Sequence, residues 1–231
     1  MKYYPSYLKN ILSIFLLIFF LALNFGFGIN NASIAVVTKT ILEVMKKSAS
    51  NNWTNAEKGD MLVGGDQIKT GKKSLAVVKF KDNSIIRLHE HSELTVNGEG
   101  TPGAIIKSAL LTSGSIGFDI KKQENAQFRL TSPTSVASIR GTMGKWSRGD
   151  TLVVTKGLVN LKNLISNKDI DVSAGEIGFS KDDGSISSRK ATENELVDAN
   201  NAANGGNANE LKLEMKDSKG NKKELKLRYK Q

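Results

Sequence analysis

Cysteine is absent from the 231 residues. Its absence excludes disulfides, zinc sites built on thiolates, thiol catalysis and a lipid-modified N-terminal cysteine. Histidine is almost absent as well: His89 and His91 are the only two. With so few such groups, and no nucleophile, base and orienting residue in a recognisable pattern, acid–base and covalent catalysis have little material. Residues 36–180 also lack any amphipathic helical pattern of useful length. A charge excess spread over the whole chain is likewise missing. The formal net charge is +10, but residues 211–231 hold eight Lys/Arg against three Asp/Glu, and residues 1–35 hold two lysines and no acid. The middle of the chain, 36–210, carries only +3 of the total. The basic character is therefore mostly a property of the tail.

Lys2 and Lys9 precede Ile11–Leu23, where Ser13 is the sole polar residue. A positive flank and an apolar run of this length fit a secretory signal peptide, and Ser33-Ile34-Ala35 offers small residues at the −3 and −1 positions of a cleavage site after Ala35. Extended to Ile29, the stretch approaches the roughly 20 residues of a bilayer span and would stay as a signal anchor. Residues 1–35 are thus expected to be a signal peptide or signal anchor. Everything from about residue 36 is expected outside the cytoplasm, in the periplasm or secreted, with membrane association possible through residues 11–29. The ten residues before the apolar run are too few for a cytoplasmic domain.

From residue 36 to 180 the chain reads as short strands and turns. Ile41–Val44, Leu75–Phe80, Ser84–Leu88, Leu94–Val96, Ile105–Leu111, Ile116–Ile120, Phe128–Leu130, Leu152–Val154 and Leu158–Leu161 are rich in β-branched or apolar residues. Gly59-Asp60, Gly64-Gly65-Asp66, Thr70-Gly71, Asp82-Asn83, Asn97-Gly98, Ser113-Gly114 and Lys156-Gly157 punctuate them. Gly and Asn tolerate a positive φ, and Asp bonds its own backbone. Strands this short, about ten residues apart, predict an all-β sandwich, barrel or solenoid. Residues 181–210 change character. Thr192 with Glu195 could open one short helix as a capping box, and the Asn-, Ala- and Gly-rich stretch Asn200–Asn209 reads as a flexible linker. In 211–231, apolar residues alternate with Lys, Arg and Glu on either side of Ser218-Lys219-Gly220-Asn221, a basic β-hairpin tail with one apolar face.

Taken in order, Trp53, Gly59-Asp60, Gly65-Asp66 through Thr70-Gly71, Ser74, Phe80-Lys81-Asp82-Asn83-Ser84, Leu88, Ser92-Glu93-Leu94, Ser113-Gly114-Ser115, Pro133, Arg140-Gly141-Thr142, Gly157 and Ala174-Gly175-Glu176 resemble the FecR domain family. The resemblance covers about residues 36–180. Asn83 stands where the family usually has Gly, and Ser132 separates Thr131 from Pro133. The resemblance implies an all-β fold, a twisted, solenoid-like β-helix, and brings no catalytic residues and no cofactor with it. The family's namesakes are inner-membrane regulators that bind a sigma factor in the cytoplasm and relay the occupancy of an iron-siderophore receptor. This sequence is similar instead to stand-alone exported members that lack the cytoplasmic part.

Five residues are candidates for binding. If residues 86–96 formed one strand, His89, His91 and Glu93 would share a face, with ligand types suited to zinc or iron; the alternative is a solvated strand face. Arg140, with five donors, either anchors turn carbonyls or recognises an anion. Trp53 is either packing or a platform for a ligand. Asp60, Asp66 and Asp82 each follow a turn signal, and turn capping accounts for them. The basic tail could face a polyanion. Nucleic acid is not an expected partner for an exported chain, and the sequence leaves the oligomeric state open. The function expected is a non-enzymatic exported module that binds a partner protein, a polyanionic envelope component or a small ligand, in sensing or envelope organisation. Two alternatives stand beside it: a membrane-anchored signal relay, and a glycan-active enzyme.

Overall fold

In the computed structural model, residues 33–48, 52–99, 106–122, 128–149, 151–205, 210–216 and 222–228 are described. The apolar N-terminal run, residues 206–209 of the Asn-rich stretch and the side chains of the tail lie outside the described residues.

Burial alternates with period two along strand after strand, as a sheet with one face on a core requires. The chain lays down β1 (Ala35–Ile41), β2 (Val44–Lys47), β3 (Thr54–Asn55), β4 (Met61–Leu62), β5 (Gln67–Thr70) and β6 (Leu75–Phe80). Next come β7 (Ile85–Leu88), β8 (Glu93–Glu99), β9 (Ile106–Ser113), β10 (Ser115–Asp119), β11 (Phe128–Thr131) and β12 (Ser135–Ile139). The series ends with β13 (Met143–Ser147), β14 (Thr151–Lys156), β15 (Leu158–Asn163), β16 (Asp169–Ser173), β17 (Glu176–Ser180) and β18 (Ile186–Lys190).

These strands make two open nine-stranded sheets. The first runs β4-β1-β6-β7-β10-β13-β14-β17-β18 and the second β3-β2-β5-β8-β9-β11-β12-β15-β16. Past the first edge, both advance in chain order, because the chain switches sheet after every one or two strands. Among the described pairings β9–β11 is parallel and the rest are antiparallel. One apolar core lies between the sheets. Phe80 of the first sheet meets Phe128 of the second edge-on at 4.9 Å between centroids, a favourable aromatic geometry. Trp146, Phe118 and Ile86 are fully buried in the same core.

The period breaks at β10, β14 and β17, where consecutive residues are buried. A helix covers the outer face there. Helix α1 (Glu193–Asn204) opens on Thr192, whose hydroxyl accepts from the Glu195 amide while the Glu195 carboxylate accepts from the Thr192 amide, and it closes at Gly205 with φ 78°. Arg189 holds the Glu195 carboxyl down to about 2. Ala199, Ala202 and Ala203 are buried against the sheet. Approach is close because β10 carries Gly117: a Cβ there would lie 2.0 Å from the Ala202 carbonyl oxygen. The last helical residues, 200–204, correct the expectation of a linker over Asn200–Asn209. The β framework also continues to Lys190, past the boundary expected at residue 180. Two further strands, β19 (Glu210–Lys216) and β20 (Lys222–Arg228), pair antiparallel with each other.

Two more expectations change. Ile41–Val44 is not one strand, because Leu42 turns at φ 57° where the chain leaves β1 for β2. Residues 33–35 belong to the fold: Ile34 and Ala35 are buried, the Ile34 amide donates to the Leu62 carbonyl at 2.7 Å, and its carbonyl accepts from Lys81 at 3.1 Å. Cleavage after Ala35 would remove them. Among the described residues, no helix is long and apolar enough to cross a membrane.

Candidate functional site

The corners where the chain changes sheet bury polar side chains, and these must find partners. Thr70 donates to the His89 carbonyl and accepts from the Ser92 amide. Ser92 in turn donates to the Ser115 carbonyl and accepts from the Ser115 amide, both at 2.9 Å. In the β6–β7 hairpin turn Ser84 accepts from the Lys121 amide, and at the β12–β13 corner Thr142 donates to the Leu158 carbonyl at 2.9 Å. Asp66 accepts from the Val63 amide and the Ser48 hydroxyl. Asp82 accepts from the Ser84 amide and pairs with Lys107. Asp60 accepts from the Glu57 amide and pairs with Lys46 at 2.6 Å. Burial pushes the Asp60 carboxyl up, but that amide and Lys46 outweigh it and hold it below its ordinary value. The aspartates therefore cap their own turns, and the Thr-Gly, Asp-Asn-Ser and Arg-Gly-Thr hydroxyls fasten one corner to the next.

The expected metal face does not form. β7 ends at Leu88 in the first sheet and β8 begins at Glu93 in the second. His89–Ser92 is the corner between them, with His91 at φ 53°. His89, His91 and Glu93 do not share a strand face, and among the described residues no group of three His, Asp or Glu could hold a metal ion. His89 instead faces helix α1. Its ring bonds the Ala202 carbonyl, its Nε2 is buried without a hydrogen-bond partner, and Lys145, Arg87 and Asp198 lie around it. Burial, then Lys145, pulls its pKa below the ordinary value. Arg87 donates to the Ala203 carbonyl, and Lys145 pairs with Asp198 at 2.7 Å. A cation from the sheet thus meets the carbonyl end of the helix.

Trp53 is half-buried near the edge of the second sheet. Lys69 Nζ stands 4.2 Å and Lys47 Nζ 5.9 Å from its ring centroid, so cations already lie over the ring that was considered as a platform. A neighbouring cleft of about 200 Å³ includes Lys46, Lys47, Asn52 and Met61. Arg140 sits at the corner between β12 and β13. It is exposed and, among the described residues, makes no hydrogen bond or ion pair. Of the two roles open to it, the anchoring of turn carbonyls is not seen among the described residues.

Beside Arg140 lies a larger cleft, about 320 Å³. Its floor includes Gly141, Thr142 and Ile120; Lys121, Lys122 and Lys156 line it, with Asp119 and Met143. Three local features build it. Gly141 turns at φ 71°, and a Cβ there would lie 2.8 Å from Lys122 Cβ, so glycine lets the two corners touch. The Ile120 amide donates to the Thr142 carbonyl at 2.9 Å. A bulge between Met143 and Gly144 sets Lys156 opposite Met143. Sequence reasoning singled out Arg140 but missed Lys121, Lys122 and Lys156. Their available signals were a Lys-Lys pair just after an apolar strand and a Lys just before a turn glycine.

The family described as FecR protein matches residues 66–160. No curated protein matches the chain. Two crystal structures of a candidate anti-sigma factor from Parabacteroides distasonis superpose with a TM-score of 0.49 at 14% identity, over 57% of this chain and 62% of theirs. The chain thus spans less than two thirds of the length of these solved relatives. The polar corners described above fall largely within the matched stretch, and over residues 66–160 this chain is similar to the FecR family.

Proposed function

We propose that the chain is a non-enzymatic exported regulatory module that binds a partner protein or an envelope component in extracytoplasmic sensing or envelope organisation. One observation carries this reading. The residues that mark the family are engaged in fastening the two sheets, which leaves the charged surface around the corners to do the recognising. The similarity to the FecR family favours signalling. The chain's parallel advance through both sheets supports the twisted β-helix implied by the resemblance. The aspartates considered for glycan chemistry are committed to turn amides and lysines. A general acid needs a raised pKa, and that of Asp60 is lowered.

The test is genetic and cellular. Deleting the gene should change transcripts or abundance of a defined set of envelope proteins, and protease added to spheroplasts should digest the chain. Protection from protease together with an unchanged envelope profile would sink the reading.

A second reading, the anchored relay, is favoured by Ile34 and Ala35. Both are built into the core, so cleavage at the expected site would damage the domain, whereas an uncleaved anchor keeps it whole. N-terminal sequencing of the cellular protein decides: retention of residues 1–32 supports the anchor, and a new N-terminus at or before Ser33 supports release.

A further inference from the structure

We propose that the corner between β12 and β13 binds a phosphate-bearing group, held by Lys122, Lys156 and Arg140. Three lysines line this corner, with the exposed Arg140 next to the lining residue Gly141 in the chain, and the one carboxylate among the lining residues, Asp119, is already paired with Lys121 at 2.8 Å. The side chains of Lys122, Lys156 and Arg140 have no carboxylate partner and no hydrogen bond among the described residues. They come from separate parts of the chain: the end of β10, the end of β14 and the β12–β13 turn. They are brought together by Gly141, by the Ile120–Thr142 bond and by the bulge in the β13–β14 pairing. Like charges converging on a concave surface repel one another until an anion arrives, and a cleft focuses the field on that anion.

The number of free cations selects the ligand. A single carboxylate would answer one of three charges. A phosphate monoester carries about two negative charges and three acceptor oxygens, and neighbouring phosphodiester headgroups of an anionic membrane supply one charge each, enough in either case to bridge the two lysines and the guanidinium with charge-assisted bonds. The cleft, at about 320 Å³, is large enough for a phosphate ester with its attached group. This inference names the ligand class for the binding module proposed above and rests on that reading only for the compartment. Outside the cytoplasm the group could come from a phospholipid headgroup or from a free phosphate ester.

The full-length protein is titrated with pyrophosphate by calorimetry at low salt. Alongside, its binding to phosphatidylglycerol vesicles is compared with binding to phosphatidylcholine vesicles. The Lys122→Glu/Lys156→Glu variant should weaken pyrophosphate binding at least about tenfold without lowering the melting temperature, because both side chains are exposed and have no partner among the described residues. Lys122→Arg/Lys156→Arg should restore binding. Lys222→Glu/Lys223→Glu in the tail should leave it intact. Loss of the phosphatidylglycerol preference in the corner variant identifies a headgroup; pyrophosphate binding without that preference identifies a free ester. Absence of both pyrophosphate binding and the phosphatidylglycerol preference in the wild type overturns the proposal. So does binding abolished by the tail variant but kept by the corner variant. Neither of these results bears on the deletion and protease experiments, so the broader reading stands or falls separately.

Discussion

Gly141 illustrates how one residue can be held by two independent constraints. Its φ of 71° is strained for any side chain, and a Cβ would meet Lys122 Cβ at 2.8 Å. Gly175 has the first constraint alone: its φ is 87°, with nothing within 4 Å of an ideal Cβ. Gly175→Ala should therefore cost about 1 kcal/mol, the left-handed backbone penalty, and Gly141→Ala about 2–3 kcal/mol, since backbone and corner must both shift. Urea unfolding of the two variants checks the difference, and equal losses would show that the Lys122 contact costs nothing. Asn163 makes the corresponding case for a buried polar group. It is fully buried, donates to Ser180 Oγ at 2.8 Å and to the Lys181 carbonyl at 2.9 Å, and accepts from the amides of Ile165 and Ser166. Asn163→Ala takes the Asn163 acceptor from the Ile165 and Ser166 amides, leaves Ser180 with Ser135 and the Lys181 carbonyl with the Gly184 amide, and should cost about 3 kcal/mol. Asn163 lies beyond the FecR match, so a loss that large would place the stabilising framework outside the matched residues too.

At the scale of elements, the docking of α1 is the feature most sensitive to conditions. His89 lies beneath it with Arg87 from β7, Lys145 from β13, and Asp198 and the Ala202 carbonyl from the helix itself. Burial, then Lys145 and more weakly Arg87, hold its pKa below the ordinary 6.5 when docked. An undocked His89 takes up a proton more readily. Docking is therefore strongest above that ordinary value and weakens as the pH falls through it. Amide exchange in residues 193–204 should quicken between about pH 7.5 and 5.5, relative to the intrinsic rate, while the strands stay protected. His89→Gln, neutral throughout, should flatten the response; a slope that survives in that variant would place the proton elsewhere. The same element shows why the sequence was only partly legible. The Thr192–Glu195 box can be read directly. The helix beyond Asn200 cannot, because Asn-rich residues favour a linker and tertiary contacts, the burial of Ala202 and Ala203 against the sheet and the Arg87 bond to the Ala203 carbonyl, override that preference. Likewise β6, β7 and the Asp82-Asn83 turn follow from period and turn chemistry. The sheet each strand joins does not, since a crossing such as Gly114 or Gly157 takes one residue. The basic corner stayed hidden for that reason. Its lysines lie 34 residues apart in sequence, at Lys122 and Lys156, and only the order of crossings brings them to one cleft.

For the molecule as a whole, the edge where the fold begins decides how much of the N-terminus it can lose. β1 is a central strand, hydrogen-bonded to β4 on one side and β6 on the other, with Ala35 opposite both Leu62 and Phe80. Ile34 extends that contact: it is buried, tied to Leu62 and Lys81 through its backbone, and a Cβ on Gly64 would lie 3.5 Å from its Cδ1. Residues 33–231 form one compact unit, so a chain beginning at Ser33 should fold. A chain beginning at Val36 gives up the Ile34 side chain and two ladder hydrogen bonds, together about 3 kcal/mol, or roughly 5–10 °C in melting temperature for a domain of this size. Thermal melts of the two chains measure this directly. A clear deficit means that export machinery cutting after Ala35 would release a weakened domain, so processing must fall upstream or not occur. Equal melting temperatures would remove that constraint, and with it the observation that favours an uncleaved anchor.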